Sequence, residues 1–105
     1  MDMNEDLLDD PEFQLLIQKY LEYIMKSIPE LKAKLNKRNF EEIKDFGHNL
    51  KGVAKGYGFD ELGKLGGKIE TVSSSENFDL LKNLISDFEA ALNKEYQLFK
   101  GKFQT

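Results

Sequence analysis

The chain has no cysteine and only one histidine, which excludes disulfides, thiolate metal sites and a zinc cluster. Its acidic residues form no calcium-loop pattern, so no metal site of its own is expected. Basic residues are in the minority, 15 against 19 acidic ones, and the net charge of −4 argues against nucleic acid as the main partner. No apolar run approaches the ~18–20 residues that span a bilayer. The start, Met1-Asp2-Met3-Asn4-Glu5-Asp6, is the opposite of a basic signal-peptide head, so no membrane partner and a cytoplasmic location are expected.

What remains is 105 residues with 40% hydrophobic content, two prolines and eight dispersed glycines. That suits one soluble globular domain spanning residues 1–105, and nothing suggests more than a monomer. Apolar residues recur at helical spacing throughout, and no run alternates as a strand would. After an acidic piece from Met1 to Asp10, the series Phe13, Leu16, Tyr20, Ile24, Ile28, Leu31 and Leu35 traces one long helical face. Pro29 should kink that helix or divide it in two.

Asn39 suits the N-cap of a second helix, with Phe40, Ile43, Phe46, Leu50, Val53 and Tyr57 turned inward. Tyr57-Gly58-Phe59 should end it, since glycine accepts the left-handed conformation of a tight reversal. Asp60 is placed to cap a third helix with Leu62, Leu65, Ile69 and Val72 inward, and Thr71 to Ser75 breaks the pattern. Asn77 should cap a fourth helix, with Leu81, Leu84, Ile85, Phe88, Leu92 and Phe99 inward and Gly101 as its stop. Four amphipathic helices on short loops predict an all-α, up-down antiparallel four-helix bundle with a short N-terminal helical extension.

His48 stands out. Successive helical residues turn by about 100°, so His48 lies roughly 140–160° from Ile43, Leu50 and Val53 and faces water. Glu41, Lys44, Asp45, Lys51, Gly52 and Lys55 share its stripe. Taken singly, each is an ordinary exposed residue. Gly52 is less ordinary, because glycine in a helix interior costs about 1 kcal/mol relative to alanine. It sits one turn beyond His48, where a missing side chain opens a gap for another protein; close packing between helices is the competing explanation.

The chemistry suits these residue types. A neutral imidazole is a good nucleophile near neutral pH, and a phosphoryl group on it brings about two negative charges. Lys51 at i+3 and Lys55 at i+7 can offset them. Glu70 is twelve residues after Gly58 and His48 is ten before it, so an antiparallel third helix brings the two level. Glu70 can then accept the N–H of the inner ring nitrogen and leave the outer one free to attack, as an orienting carboxylate does in triad-like sites. An ordinary exposed helical glutamate is the alternative.

His48-Asn49-Leu50-Lys51-Gly52, followed by Gly58, Leu62, Leu65, Ile69 and Glu70, resembles the signature of histidine phosphotransfer (HPt) domains. The likeness covers Phe40 to about Glu70. It implies that His48 carries a phosphoryl group, that Lys51 assists it and that Glu70 orients the ring. Gly52, Lys44, Lys55 and Gly58 would belong to the docking face. The implied partner is the receiver domain of a response regulator, whose pocket supplies Mg²⁺, with a sensor histidine kinase as a further partner; the chain itself needs no cofactor. Gly58-Phe59 and a glutamate at position 70 look more like the phosphorylatable domain of chemotaxis kinases. Gly47 replaces the small alanine usual before the histidine, and Val53, Ala54 and Lys55 stand where small serines or alanines are common.

Three readings follow. The first is a phosphocarrier between receivers, or from a kinase to a receiver, without ATP-dependent kinase activity, since no P-loop or kinase-type glycine loop is present. The second is a helical adaptor that binds a receiver or kinase without accepting phosphate. The third is a detached substrate domain of a chemotaxis-like kinase. A hydrolase is poorly supported by one His–Glu pair.

Overall fold

The structure, a computed structural model, describes residues 10–103. Four helices follow in order: α1 Pro11–Asn36, α2 Phe40–Gly56, α3 Asp60–Ser74 and α4 Phe78–Phe103. The described residues contain no strand. Each helix packs its backbone chiefly on its two neighbours around the ring, which is the arrangement of an up-down bundle, and the Phe46 ring of α2 meets the Phe88 ring of α4 edge-on across the middle. The α2–α3 interface is the most extensive, and α1 touches α2 least. The N-terminal helical extension expected from the sequence falls on residues outside the described ones.

The core is a ring of heptad-spaced residues. On α1 the buried series is Ile17, Leu21, Ile24, Ile28, Leu31 and Leu35. Leu16, expected inward, is 53% exposed because it is rotated by one helical step from Ile17. Pro29 does not divide α1. It stands on the exposed side, and Ile28 and Leu31 on either side of it stay buried, so core packing carries the helix across the missing N–H. Asp10 caps α1 by accepting the N–H of Glu12 at 2.9 Å.

On α2 the inward series is Ile43, Gly47, Leu50 and Ala54, and Val53 is turned out at 44% exposure. Asn39 caps this helix as expected, accepting from the Glu42 N–H. Asp60 does not cap α3; it is the first helical residue, and Phe59 holds the cap position without a side-chain bond. The Thr71–Ser75 cluster does not break α3 where expected. Thr71, Ser73 and Ser74 donate their hydroxyls to carbonyls one turn back, at Gly67, Ile69 and Glu70, so the helix runs through to Ser74. Asn77 accepts the Leu80 N–H at 3.1 Å and caps α4. Gly101 does not stop α4, which continues to Phe103.

The three turns share one backbone design. Each helix is followed by a C-cap residue (Lys37, Tyr57 or Ser75), then by a residue in the left-handed region, and then by the next N-cap. The left-handed residues are Arg38 (φ +58°), Gly58 (φ +88°) and Glu76 (φ +54°). Such short reversals force each helix antiparallel to the one before it.

Candidate functional site

Glycine decides where α2 and α3 meet. A Cβ on Gly47 would lie 2.6 Å from the Gly66 carbonyl oxygen and 2.7 Å from the Glu70 nitrogen. A Cβ on Gly66 would lie 2.8 Å from the Lys51 nitrogen and 2.9 Å from the Gly47 oxygen. No larger residue fits at either position without moving backbone, so the two helices touch main chain to main chain. The residue after Gly47 is His48, and the backbone pressed against Gly47 is that of Glu70. The close crossing therefore sets imidazole beside carboxylate.

Nδ1 of His48 lies 2.7 Å from Oε2 of Glu70. Nζ of Lys51 donates to the other carboxylate oxygen, Oε1, at 3.3 Å. Glu70 is the sheltered member, with its side chain 22% exposed against 68% for His48 and 47% for Lys51. The hydrogen bond from His48 is the main reason its carboxyl is held below the ordinary carboxylate range; desolvation opposes that shift and Lys51 adds to it. An ionised carboxylate only accepts, so the proton of the neutral ring belongs on Nδ1. Nε2 then carries the lone pair on the exposed side of the ring, with no hydrogen-bond partner among the described residues. The site offers an oriented nucleophile, a fixed negative charge behind it and an ammonium group alongside.

The other expected residues divide clearly. Gly52 has nothing within 4 Å of where a Cβ would stand, so packing among the described residues does not explain it. Lys55 is exposed, and its stem lies across Gly63, where a Cβ would meet the Lys55 Cγ at 2.7 Å. Lys44, one turn before His48, is half-buried and lines a shallow polar depression with Arg38, Asn39, Glu41 and Ser74. Gly58 sits at the α2–α3 turn, where its positive φ already accounts for a glycine. Among the described residues no group of three or more His, Cys, Asp and Glu converges, and no helix is long and apolar enough to cross a membrane.

Two features are absent from the sequence reading. One is a groove of about 360 Å³ between α1 and α2, lined by Tyr20, Tyr23, Phe46, Asn49 and Val53. Asn49 follows His48 directly, and Tyr23 is 69% exposed. The second is the pairing of lysines with glycines across α2 and α3. Lys51 lies over Gly67 as Lys55 lies over Gly63. Both pairs are in the same antiparallel register as His48 and Glu70, a regularity available from spacing about the turn.

Comparison with curated proteins and with solved structures gives no match. A family model, that of the Hpt domain, matches residues 15–91. That span takes in the His48–Glu70 pair, the Gly47–Gly66 crossing and most of the core, and the chain belongs to the Hpt-domain family, whose members carry phosphoryl groups on histidine in phosphorelays.

Proposed function

We propose that this chain is a cytoplasmic, monomeric phosphocarrier that exchanges a phosphoryl group between His48 and the aspartate of a response-regulator receiver domain. The observation that carries the reading is the Nδ1–Glu70 hydrogen bond, which turns the other ring nitrogen outward as a free lone pair. In the forward step the Nε2 lone pair attacks phosphorus of the aspartyl phosphate. The N–P bond forms as the bond from phosphorus to the carboxylate oxygen breaks, and aspartate leaves as carboxylate. Nδ1 keeps its proton, and the Glu70 carboxylate offsets the positive ring that results. Lys51 is close enough to the ring to balance the incoming phosphoryl charge. Mg²⁺ belongs to the receiver in this reading.

Gly52 supports the same reading, because its open surface gives the receiver access to the ring. The apolar groove lined by Tyr23 and Val53 offers contact area beside it, and Lys44 and Lys55 lie toward α3 on the other side of the ring. Without a nucleotide site, the chain should take no phosphate from ATP alone. Incubation with labelled phospho-receivers is the test: label should move onto the wild-type chain as an acid-labile phosphate, and a His48→Gln variant that labels fully would refute the proposal.

Glu70, a glutamate bonded to the ring, also keeps a second reading in view, that of a substrate domain for a separate kinase catalytic domain. ATP plus such a domain should then label His48, and failure with every catalytic domain of the same genome would remove it.

A further inference from the structure

Of the α3 glycines, Gly67 is the one that close helix packing does not explain. Gly66 presses on α2 backbone, and Gly63 approaches the Lys51 carbonyl oxygen, 3.3 Å from where its Cβ would stand. A Cβ on Gly67 would meet only the Lys51 side chain, Cδ at 3.3 Å and Cγ at 3.8 Å. Gly67 lies inside a helix, where glycine is less favourable than alanine. What stands in the vacated space is the lysine stem.

We infer that Gly67 is a positioning residue for the proposed phosphotransfer, leaving bare the strip of α3 on which Lys51 lies and so fixing its ammonium on Glu70 beside His48. The inference rests on the phosphocarrier reading for its purpose, though not for its geometry. A free lysine side chain is costly to order, because it gives up several freely rotating bonds. A stem bedded on the helix surface has part of that freedom already removed. Gly67 precedes Glu70 by one turn, so a stem laid across the first reaches the carboxylate of the second. The ammonium bonds Oε1 and leaves Oε2 to the ring.

No neighbour replaces this cation. Lys64 and Lys68 line the same shallow depression as Lys51, Gly67, Glu70 and Thr71, yet neither forms an ion pair with Glu70. Among the described residues, the titratable groups bonded to the carboxylate from α2 are His48 and Lys51. A side chain at 67 would push the stem outward and take the ammonium with it. The backbone would stay in place, because nothing but that flexible stem is in the way.

The test is a double-mutant cycle on the whole chain with Gly67→Leu, Lys51→Ala and the pair, with Gly67→Ala as a milder variant. The first readout is the Glu70 carboxyl titration by carbon NMR on the unphosphorylated protein. Gly67→Leu and Lys51→Ala should each move the Glu70 pKa up toward the ordinary value, and the pair should move it no further than Lys51→Ala does. Gly67→Ala, where the stem need yield only slightly, should fall between wild type and Gly67→Leu. The second readout is transfer from a labelled phospho-receiver. Gly67→Leu should slow it about tenfold, less than the hundredfold or more seen when an enclosed donor is removed, and should not slow Lys51→Ala further. An unchanged Glu70 titration in Gly67→Leu, or effects that add to those of Lys51→Ala, would overturn the inference. If the wild-type chain accepts no phosphoryl group at all, the phosphocarrier reading fails and the purpose given to Gly67 fails with it; the titrations report separately whether Gly67 sets Lys51.

Discussion

Gly47 and Gly66 hold the backbones of α2 and α3 so close that a Cβ on the first would stand 2.6 Å from the carbonyl oxygen of the second. The His48–Glu70 hydrogen bond follows from that contact, since one residue adjoins Gly47 and the backbone of the other abuts it. A structural defect at the crossing should therefore also be a defect in the chemistry.

Gly47→Ala tests this. Alanine gains about 1 kcal/mol in helix propensity, but overpacking against rigid backbone costs about 1–3 kcal/mol. The net expectation is a loss of stability of up to about 2 kcal/mol by urea unfolding. The His48 ring resonances should shift as the carboxylate draws away. A variant as stable as wild type with unmoved ring signals would show that the helices do not meet this closely.

Gly52→Ala should do the reverse. Open space surrounds the position, so alanine should stabilise the chain by about 0.5–1 kcal/mol. Gly52→Leu should fold equally well, while labelled transfer from a receiver falls by about an order of magnitude because the bulk stands where the partner approaches. Undiminished transfer in Gly52→Leu would remove this position from the docking face. The two glycines share one helix and one residue type, and they call for opposite outcomes.

Much of this arrangement is legible in the sequence, and the failures share a cause. Helical periodicity gives four helices, and the caps Asn39 and Asn77 and the Gly58 reversal stand where side-chain chemistry puts them. Periodicity read from large apolar residues goes wrong at small ones. The inward stripe of α2 is Ile43, Gly47, Leu50 and Ala54, and an eye seeking bulk assigns Val53 in place of Ala54. On α3 the same happens with Gly66 and Ser73, and the smallness of Gly66 is what lets the helices approach. The level placement of His48 and Glu70 is available from counting about the turn. The facing of Lys51 and Gly67 is available in the same way, but the bedding of the stem on the glycine is not, because it depends on how closely the helices approach.

The turns offer a test independent of the site. Glu76 holds φ +54° in the same place where the α2–α3 turn has Gly58 at +88°. A left-handed conformation costs a residue with a Cβ roughly 1–2 kcal/mol, and glycine escapes that cost. Glu76→Gly should therefore raise the stability of the chain by about 1 kcal/mol, and Gly58→Ala should lower it by a similar amount. Thermal or urea unfolding of the two variants reads both signs. Destabilisation by Glu76→Gly would mean that its side chain, rather than its backbone, serves the turn.

Glu70 links the site to stability through pH. Its carboxyl is held below the ordinary value of 4.5, chiefly by the bond from His48 and then by Lys51. A carboxyl more acidic in the folded chain than in the unfolded one contributes stability above its unfolded value. That contribution fades as pH falls from about 5 through the lowered folded value, where folded and unfolded chains come to bind equal protons. Glu70→Gln removes the titrating group, so the difference in unfolding free energy between wild type and variant should shrink across that acid window. Lys51→Ala should narrow the acid-dependent part without abolishing it, since the larger cause, the imidazole bond, remains. Parallel stability curves for wild type and Glu70→Gln from pH 5 down to 3 would show that the carboxylate is not engaged by the ring. The inner nitrogen would then lose the partner that directs its twin toward solvent.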